Sequence, residues 1–188
     1  MSFRKLIVAV AGLTGSGKSV FVHVATERGY SVVVMGDEVR EEAKRRGIEA
    51  TSENMGRIML ELRRLEGEAS IARRCIPKIE KTRESRVVVD GVRSLSEVEE
   101  FRSHFASVVA VAVHSSPETR FRRLYSRQRS DDPKNWNIFR ERDLRELSVG
   151  LGNAIAMAEH VIVNEGTLSA AKSRAAEVLS EIERAWRR

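Results

Sequence analysis

Five short runs of mainly β-branched residues alternate along the chain with longer segments whose apolar positions recur at helical spacing. The runs are almost continuous in valine and isoleucine, a pattern typical of strands that are buried on both faces of a parallel sheet. They cover residues 6–10, 31–35, 86–90, 108–114 and 160–164. The alternation predicts a three-layer α/β fold, in which helices cover both faces of a five-stranded parallel sheet.

Residues at the ends of the intervening segments predict where helices begin and end. Gly29 follows the first such segment and predicts a helix C-terminus. Three helix starts are predicted by a capping box or by an N-cap residue before proline: Ser94 with Glu97, Ser116 with Pro117, and Asp132 with Pro133. Residues 38–80 form a charged helical insertion between the second and third strands. It is either a small mobile subdomain over a ligand site or a hairpin packed on the sheet.

The length and composition of the chain fit one soluble domain. The 188 residues suffice for a single domain, 1–188, with a substantial core. No stretch approaches ~18 consecutive apolar residues, and Cys75 is the only cysteine, so we expect a cytoplasmic protein. The net charge is +6, with 26 arginines and seven lysines. This arginine excess fits several phosphate contacts in one site, a solvated surface of Glu–Arg pairs, or contact with RNA.

Residues 12–19 carry the most specific signal in the chain. They fit G-x-x-x-x-G-K-[ST], follow a predicted strand and open a predicted helix, which is the context of a phosphate-binding P-loop. In this motif backbone N–H groups surround a polyphosphate, the lysine reaches the β and γ phosphates, and the last hydroxyl binds Mg²⁺. The predicted nucleotide-binding residues are Gly12, Leu13, Thr14, Gly15, Ser16, Gly17, Lys18 and Ser19, with Ser19 also a magnesium ligand.

The second and third strands each end in an acidic residue that an arginine follows three positions later. Because the carboxyl ends of parallel strands meet at the edge of the sheet where ligands bind, we expect these residues near the P-loop. Asp90 follows three valines, as a Walker-B carboxylate does, and is predicted to hold the hydration shell of Mg²⁺; a cap or turn role is the alternative. Arg40 and Arg93 are predicted to bind a second anion, with a solvated surface position as the alternative for each, and Asp37 is predicted to hold the acceptor or a metal-bound water.

An arginine-rich segment follows the fourth predicted strand. Arginines on such a segment can neutralise the charge that develops on a transferring phosphoryl group. At helical spacing they cannot all face one way, so many of them are solvated. We predict catalytic roles for Lys18, Arg127, Arg129 and Arg140.

The order of these motifs resembles that of the nucleoside monophosphate kinases, especially adenylate kinase. That superfamily has Gly-Asp-x-x-Arg after strand two and Asp-Gly-x-x-Arg after strand three, which residues 36–40 and 90–93 resemble, the second being one residue shorter than in adenylate kinase. The resemblance implies that Arg40 and Arg93 clamp the phosphate of the acceptor, with 38–80 as the acceptor-binding insertion. It also implies a lid region at 123–142, very short because only Gln128 separates Arg127 from Arg129. A loosely closed site tends to lose phosphoryl groups to water.

Over nearly its whole length the chain is also similar to an archaeal P-loop family that is adenylate-kinase-related and dephospho-CoA-kinase-like. The likeness includes residues 71–75, 87–93, 129–132 and 162–166. In the related kinases the loop after the last strand lies near the adenine. This implies that Asn164 and Gly166 contribute to ATP binding.

These observations predict an ATP-dependent phosphotransferase that moves the γ-phosphoryl group of ATP–Mg²⁺ to a nucleoside monophosphate, with AMP as the expected acceptor. No general base is needed for this reaction, because the acceptor oxygen is already anionic. Two alternatives stay open. One is dephospho-CoA-kinase-like phosphorylation of a hydroxyl, with Asp37 as the base. The other is a P-loop ATPase switch that binds RNA or a protein partner.

Overall fold

The sheet is built around a strand that is buried at every position, β1 (Leu6–Ala11). The computed structural model describes residues 5–128 and 132–187. Its other strands are β2 (Ser31–Val34), β3 (Arg86–Val92), β4 (Ser107–His114) and β5 (His160–Val163). They run parallel in the order β2-β3-β1-β4-β5. The predicted five-stranded parallel sheet is therefore confirmed.

Helices cover both faces of this sheet. They are α1 (Lys18–Glu27), α2 (Met35–Arg45), α3 (Ser52–Glu66), α4 (Ser70–Lys81), α5 (Leu95–His104), α6 (Pro117–Arg127), α7 (Trp136–Ser148), α8 (Leu151–Ala156) and α9 (Leu168–Trp186). Because successive side chains of a strand point to opposite faces, β1 contributes to two cores. Leu6, Val8 and Val10 pack with α1 and α9, while the alternate positions pack with α2 to α5 and α8. No helix in the described part of the chain is both long and apolar enough to cross a bilayer.

The insertion between β2 and β3 consists of α2, α3 and α4, and it packs on the sheet. Ile58 and Leu62 of α3 and Ile71 and Ile79 of α4 belong to the same buried cluster as β1. Cys75 lies among them as a buried free thiol, and burial raises its pKa to about 12. The structure therefore has the second of the two arrangements expected for residues 38–80, in which the insertion packs on the sheet.

Three of the four predicted helix boundaries are confirmed. Gly29 follows α1 with φ 80°, Ser94 and Glu97 form a complete capping box, and Ser116 caps α6 ahead of Pro117. The fourth prediction is wrong. The next helix, α7, begins at Trp136, and its N-cap is Asn135, whose side chain accepts a hydrogen bond of 3.0 Å from the N–H of Ile138. The Asp132 carboxylate is instead paired with the Arg127 guanidinium, which is a stronger partner than a backbone N–H.

The second strand also ends earlier than predicted. Helix α2 begins at Met35, directly after the last residue of β2, so Asp37 and Arg40 lie in the first turns of a helix rather than at a strand end. Their spacing of three residues places both side chains on one face of that helix. The carboxylate of Asp37 accepts a hydrogen bond from the Arg40 guanidinium.

If α4 is part of the main core, truncating one of its buried side chains will destabilise the whole protein. We expect Ile79→Ala, at a position that is fully buried, to lower the free energy of unfolding by about 2–5 kcal/mol. The neighbouring exposed residue supplies the control, because Glu80→Ala should change it by less than about 0.5 kcal/mol. Chemical denaturation measures both, and an effect of Ile79→Ala as small as that of the control would contradict this packing.

Candidate functional site

The loop between β1 and α1 has the backbone conformation that only glycine adopts without strain. Gly15 and Gly17 have φ of 84° and 97°, in the left-handed region. A side chain at Gly17 would also lie 2.1 Å from the Asn164 amide nitrogen, and one at Gly12 would lie 2.4 Å from the Val113 carbonyl oxygen. The loop therefore fits tightly between the ends of β4 and β5, and α1 begins at Lys18 with its N-terminus at the loop.

The Lys18 ammonium group is folded back on this loop. It donates hydrogen bonds to the carbonyl oxygens of Gly12 at 2.6 Å and Leu13 at 3.3 Å. Burial lowers the pKa of Lys18, as do the nearby arginines, whereas the carboxylates of Glu146 and Asp90 act in the opposite direction. A partly buried cation held by two carbonyl groups can exchange them for the oxygens of an anionic ligand.

A cavity of about 470 Å³ opens over the loop, and we call it the P-loop cavity. Its lining contains many of the residues that the sequence marks as nucleotide-binding, metal-binding or catalytic: Thr14, Gly15, Gly17, Lys18, Ser19, Asp90, Arg127, Asn164 and Gly166. Arg123 also lines it, and donates to the carbonyl oxygen of Asn164 at 3.0 Å, which ties α6 to the loop after β5. The Asn164 amide in turn donates to the carbonyl oxygen of Ser16 at 2.9 Å.

Asp90 lies near the end of β3, and one of its carboxylate oxygens, Oδ1, is buried without a hydrogen-bond partner in the described part of the chain. Burial raises the pKa of Asp90, against the opposing effect of the Lys18 and Arg93 charges. A buried carboxylate oxygen with unused acceptor capacity costs free energy unless a cation or water meets it. Asp90 and Ser19, on the same cavity, fit a hydrated Mg²⁺, which keeps several waters and needs few protein ligands.

A second cavity, of about 350 Å³, is lined by four arginines, and we call it the arginine-lined cavity. Arg40 comes from α2 and Arg93 from the end of β3, so the structure brings together the two arginines predicted for a second anion. The other two, Arg142 and Arg145, come from α7. Gly56 of α3 leaves room for Arg145, because a side chain at that glycine would lie 2.8 Å from the Arg145 Nε atom.

Glu146 connects the two cavities, and it is not among the residues predicted from the sequence. Its carboxylate is 5 % exposed and lines the arginine-lined cavity. Its Oε1 atom accepts a hydrogen bond of 2.8 Å from the hydroxyl of Thr14, which lines the P-loop cavity. The same oxygen lies 3.7 Å from Arg93 Nη2 and 3.5 Å from Arg142 Nε. Burial alone would raise the pKa of Glu146, but the charges of Arg93, Lys18 and Arg142 outweigh it and hold this pKa below its usual value.

Arg120 holds α7 in the position in which Glu146 contacts Thr14. Its side chain is 1 % exposed, and its two terminal nitrogens donate to the Asp143 carboxylate at 2.8 and 2.6 Å. It also donates to the carbonyl oxygens of Ser115 at 3.1 Å and Thr14 at 3.3 Å. The guanidinium lies 4.9 Å from the centre of the Phe139 ring. One buried arginine thus connects α6, α7 and the P-loop.

Of the described residues that were predicted for substrate binding or catalysis, two line neither cavity. Arg140 is exposed on α7 and is absent from the lining of either cavity, and Asp37 is an exposed partner of Arg40. Arg129 lies outside the described residues. A signal for the α7 residues did exist in the sequence, because Phe139 marks a buried face and the positions three and seven residues after it, Arg142 and Glu146, lie on that face.

Comparisons with known proteins identify the family and the fold of the chain. A family model described as an AAA domain matches residues 11–140. A UPF0200 protein of Hyperthermus butylicus is 49% identical over 179 residues, which cover 95% of this chain and 96% of that protein. A UPF0200 protein of Methanocaldococcus jannaschii is 44% identical over 179 residues, 94% of this chain and 90% of that protein.

Solved structures show the same fold at low sequence identity. A gluconokinase from Sinorhizobium meliloti superposes with a TM-score of 0.59 at 20% identity, covering 99% of this chain and 98% of its own. A shikimate kinase from Bacteroides thetaiotaomicron gives a TM-score of 0.60 at 16% identity, covering 93% of this chain and 98% of its own. The fold is therefore that of the P-loop kinases.

The Arg120–Asp143 pair provides a test of how α7 is held. We expect Asp143→Ala to lower the free energy of unfolding by about 3–5 kcal/mol, because it leaves a buried guanidinium without its counter-charge. Glu141→Ala, at an exposed position of the same helix, is the control and should stay within about 0.5 kcal/mol. Equal unfolding free energies for the two variants, measured by urea denaturation, would show that the pair does not anchor α7.

Proposed function

We propose a function for this chain, which belongs to the UPF0200 family and carries the AAA domain. The proposed function is that of an ATP-dependent phosphotransferase whose acceptor is a nucleoside monophosphate, namely AMP. The observation that carries the proposal is the arrangement of two cavities. One is built on a P-loop, the other is lined by four arginines, and the hydrogen bond between Thr14 of the first and Glu146 of the second connects them. A kinase needs such a pair of adjoining sites, one for the donor and one for an anionic acceptor.

In this proposal the P-loop cavity holds ATP. The backbone N–H groups of residues 12–19 and the N-terminus of α1 bind its phosphates, and Lys18 leaves the Gly12 and Leu13 carbonyls to bind the β and γ phosphates. Asn164 and Gly166 lie beside the adenine. Ser19 and Asp90 hold Mg²⁺, which when bound offsets the negative charge of the phosphates.

The arginine-lined cavity holds the acceptor. Arg40 and Arg93 bind its phosphate, as the sequence predicts, and Arg142 supplies a third guanidinium on the side of α7. An oxygen of the acceptor phosphate attacks the γ phosphorus, and a new P–O bond forms. The bond between the γ phosphorus and the β–γ bridging oxygen breaks, and its electron pair leaves with ADP. The attacking oxygen carries no proton, so positioning and charge neutralisation account for catalysis without a general base.

Removing one arginine of the acceptor cavity will weaken acceptor binding selectively. Loss of a hydrogen bond to a charged group costs about 1.5–3 kcal/mol, so we expect Arg142→Ala to raise the KM for AMP by roughly 10- to 100-fold while the KM for ATP changes little. Arg64→Ala, at an exposed position outside both cavities, is the control. Steady-state kinetics measure both constants, and a rise confined to the KM for ATP would contradict the assignment.

The function itself is tested by following label from [γ-³²P]ATP in the presence of each nucleoside monophosphate and of dephospho-CoA. The proposal expects label in ADP when AMP is supplied, and no such product from a Lys18→Ala variant. Release of labelled inorganic phosphate alone, with no acceptor labelled, would contradict it and favour an ATPase.

A second candidate, phosphorylation of a hydroxyl group, is favoured by Asp37. This carboxylate is half-exposed and paired with Arg40 of the arginine-lined cavity, so it is within reach of an acceptor bound there. Two structural neighbours, the gluconokinase and the shikimate kinase, are named for acceptors that carry hydroxyl groups.

The two candidates differ in what Asp37 does. If the acceptor is a hydroxyl, Asp37→Asn should lower kcat by roughly 10²- to 10⁴-fold, because a general base is lost. If the acceptor is a phosphate, we expect kcat to change by less than about tenfold, since no proton has to be removed. Measuring kcat with the acceptor that the labelling experiment identifies decides between them.

A further inference from the structure

The position of Glu146 is unusual for a site that is built to bind anions. A single carboxylate oxygen, Oε1, faces the hydroxyl of Thr14 and the guanidinium groups of Arg93 and Arg142. The side chain is almost fully buried. The nearby cations keep it ionised at neutral pH, because they hold its pKa below the usual value against the effect of burial.

The contacts of this oxygen are of two kinds. The contact with Thr14 is a hydrogen bond of 2.8 Å. The contacts with Arg93 and Arg142, at 3.7 and 3.5 Å, are ion pairs too long for good hydrogen bonds. An anionic ligand that accepts hydrogen bonds from both guanidinium groups therefore binds them more strongly than Glu146 does, because charge-assisted hydrogen bonds are stronger than these long ion pairs.

Thr14 lines only the P-loop cavity and Glu146 only the arginine-lined cavity. The hydrogen bond between them consequently lies where a phosphoryl group has to pass from donor to acceptor. A negative charge at that point repels the γ phosphate and occupies the guanidinium groups that an acceptor would use.

We propose that Glu146 is a specificity-determining residue, which makes phosphoryl transfer depend on an anionic acceptor by occupying the junction of the two cavities until that acceptor displaces it. This inference rests on the proposed function. An acceptor phosphate takes over Arg93 and Arg142, which releases Glu146 from the junction. Water and other neutral molecules cannot compete for the two guanidinium groups, so the junction stays closed to them.

The lid region that the sequence predicts at 123–142 is very short, which would make this role of Glu146 important. Hydrolysis of ATP needs only that a water oxygen attacks the γ phosphorus, while ADP leaves with the electron pair of the broken bond and the water proton passes to solvent. Kinases with long lids exclude that water by closing over the site. In this chain a buried charge at the junction would reduce the same side reaction without a large closing movement.

The experiment compares Glu146→Gln with the wild type. Glutamine keeps the shape of the side chain and an oxygen that can accept from Thr14, but removes the charge. We expect ATP hydrolysis without acceptor to rise roughly fivefold or more, and the KM for the acceptor to fall by a similar factor. Glu141→Gln, an exposed carboxylate on the same helix, is the matched control and should change neither quantity.

A second variant separates the charge from the hydrogen bond. Thr14→Val removes the hydroxyl that holds the Glu146 carboxylate at the junction, but leaves the carboxylate paired with the guanidinium groups. We expect acceptor-independent hydrolysis to rise, because the junction is no longer occupied. The KM for the acceptor should fall less than in Glu146→Gln, because the acceptor still competes with the carboxylate for the guanidinium groups. Unfolding temperatures show whether each variant is folded at the assay temperature.

Two results would overturn the inference. One is a rate of hydrolysis in Glu146→Gln equal to that of the wild type. The other is a rise in the KM for the acceptor, which is expected if Glu146 only holds the arginines in place. Either result leaves the proposed function intact, provided that the wild type phosphorylates a nucleoside monophosphate. If the wild type labels no acceptor, the proposed function fails whatever these variants do.

Discussion

Arg120 is the side chain on which the geometry of the candidate site depends. It is the largest fully buried side chain of the described residues, and a buried guanidinium is stable only if its donors are paired. Its donors meet the Asp143 carboxylate on α7 and the carbonyl oxygens of Thr14 and Ser115, on the P-loop and after β4. This network fixes the distance between α7 and the P-loop, and thereby places Glu146 and Arg142 against the end of β3.

The charged side chains of the site follow one another from the P-loop cavity to the arginine-lined cavity. Lys18 lies at the centre, with Asp90 on the side of the P-loop cavity and Glu146 on the side of the arginine-lined cavity, and each carboxylate opposes the effect of burial on the pKa of Lys18. Beyond Glu146 the arginines outnumber the acids, so the second cavity attracts an anion. Since Glu146 is buried and Lys18 and Asp90 are partly buried, the interactions among these three groups are stronger than those of similar pairs on the surface. The cations of the site are therefore balanced by its own carboxylates, which the proposed anionic substrate would replace.

The sheet and the P-loop could be predicted from the sequence because each depends on contiguous residues. Valine-rich runs specify buried strands, and residues 12–19 specify their own loop through the conformations of glycine. Arg40 and Arg93 were found by the same kind of local pattern. Helical spacing places Arg142 and Glu146 on the same face as Phe139, but the contact between Glu146 and Arg93 could not be predicted in this way, because it depends on the packing that Arg120 and Asp143 direct. In the sequence Arg120 is simply one of a run of arginines.

The arginine excess is a second example of a feature whose role depends on packing and not on local sequence. Composition left three explanations for it, and the structure separates the arginines by their surroundings. Arg45, Arg46 and Arg74 all pair with the carboxylate of Glu42 on the insertion, as expected of a surface built from Glu–Arg pairs. Arg93, Arg142 and Arg145 instead line a cavity beside the P-loop. Side chains of one chemical type thus take different roles because burial and neighbours differ, and local spacing does not report either.

The central claim is that the two adjoining cavities are a donor site and an acceptor site. A crystal structure of the protein with AMP and a non-hydrolysable ATP analogue tests it most directly. The account predicts the analogue on residues 12–19 and the AMP phosphate between Arg93 and Arg142, with the Thr14–Glu146 hydrogen bond broken. AMP bound only at the P-loop, or a filled P-loop cavity beside an arginine-lined cavity that AMP does not enter, would contradict it.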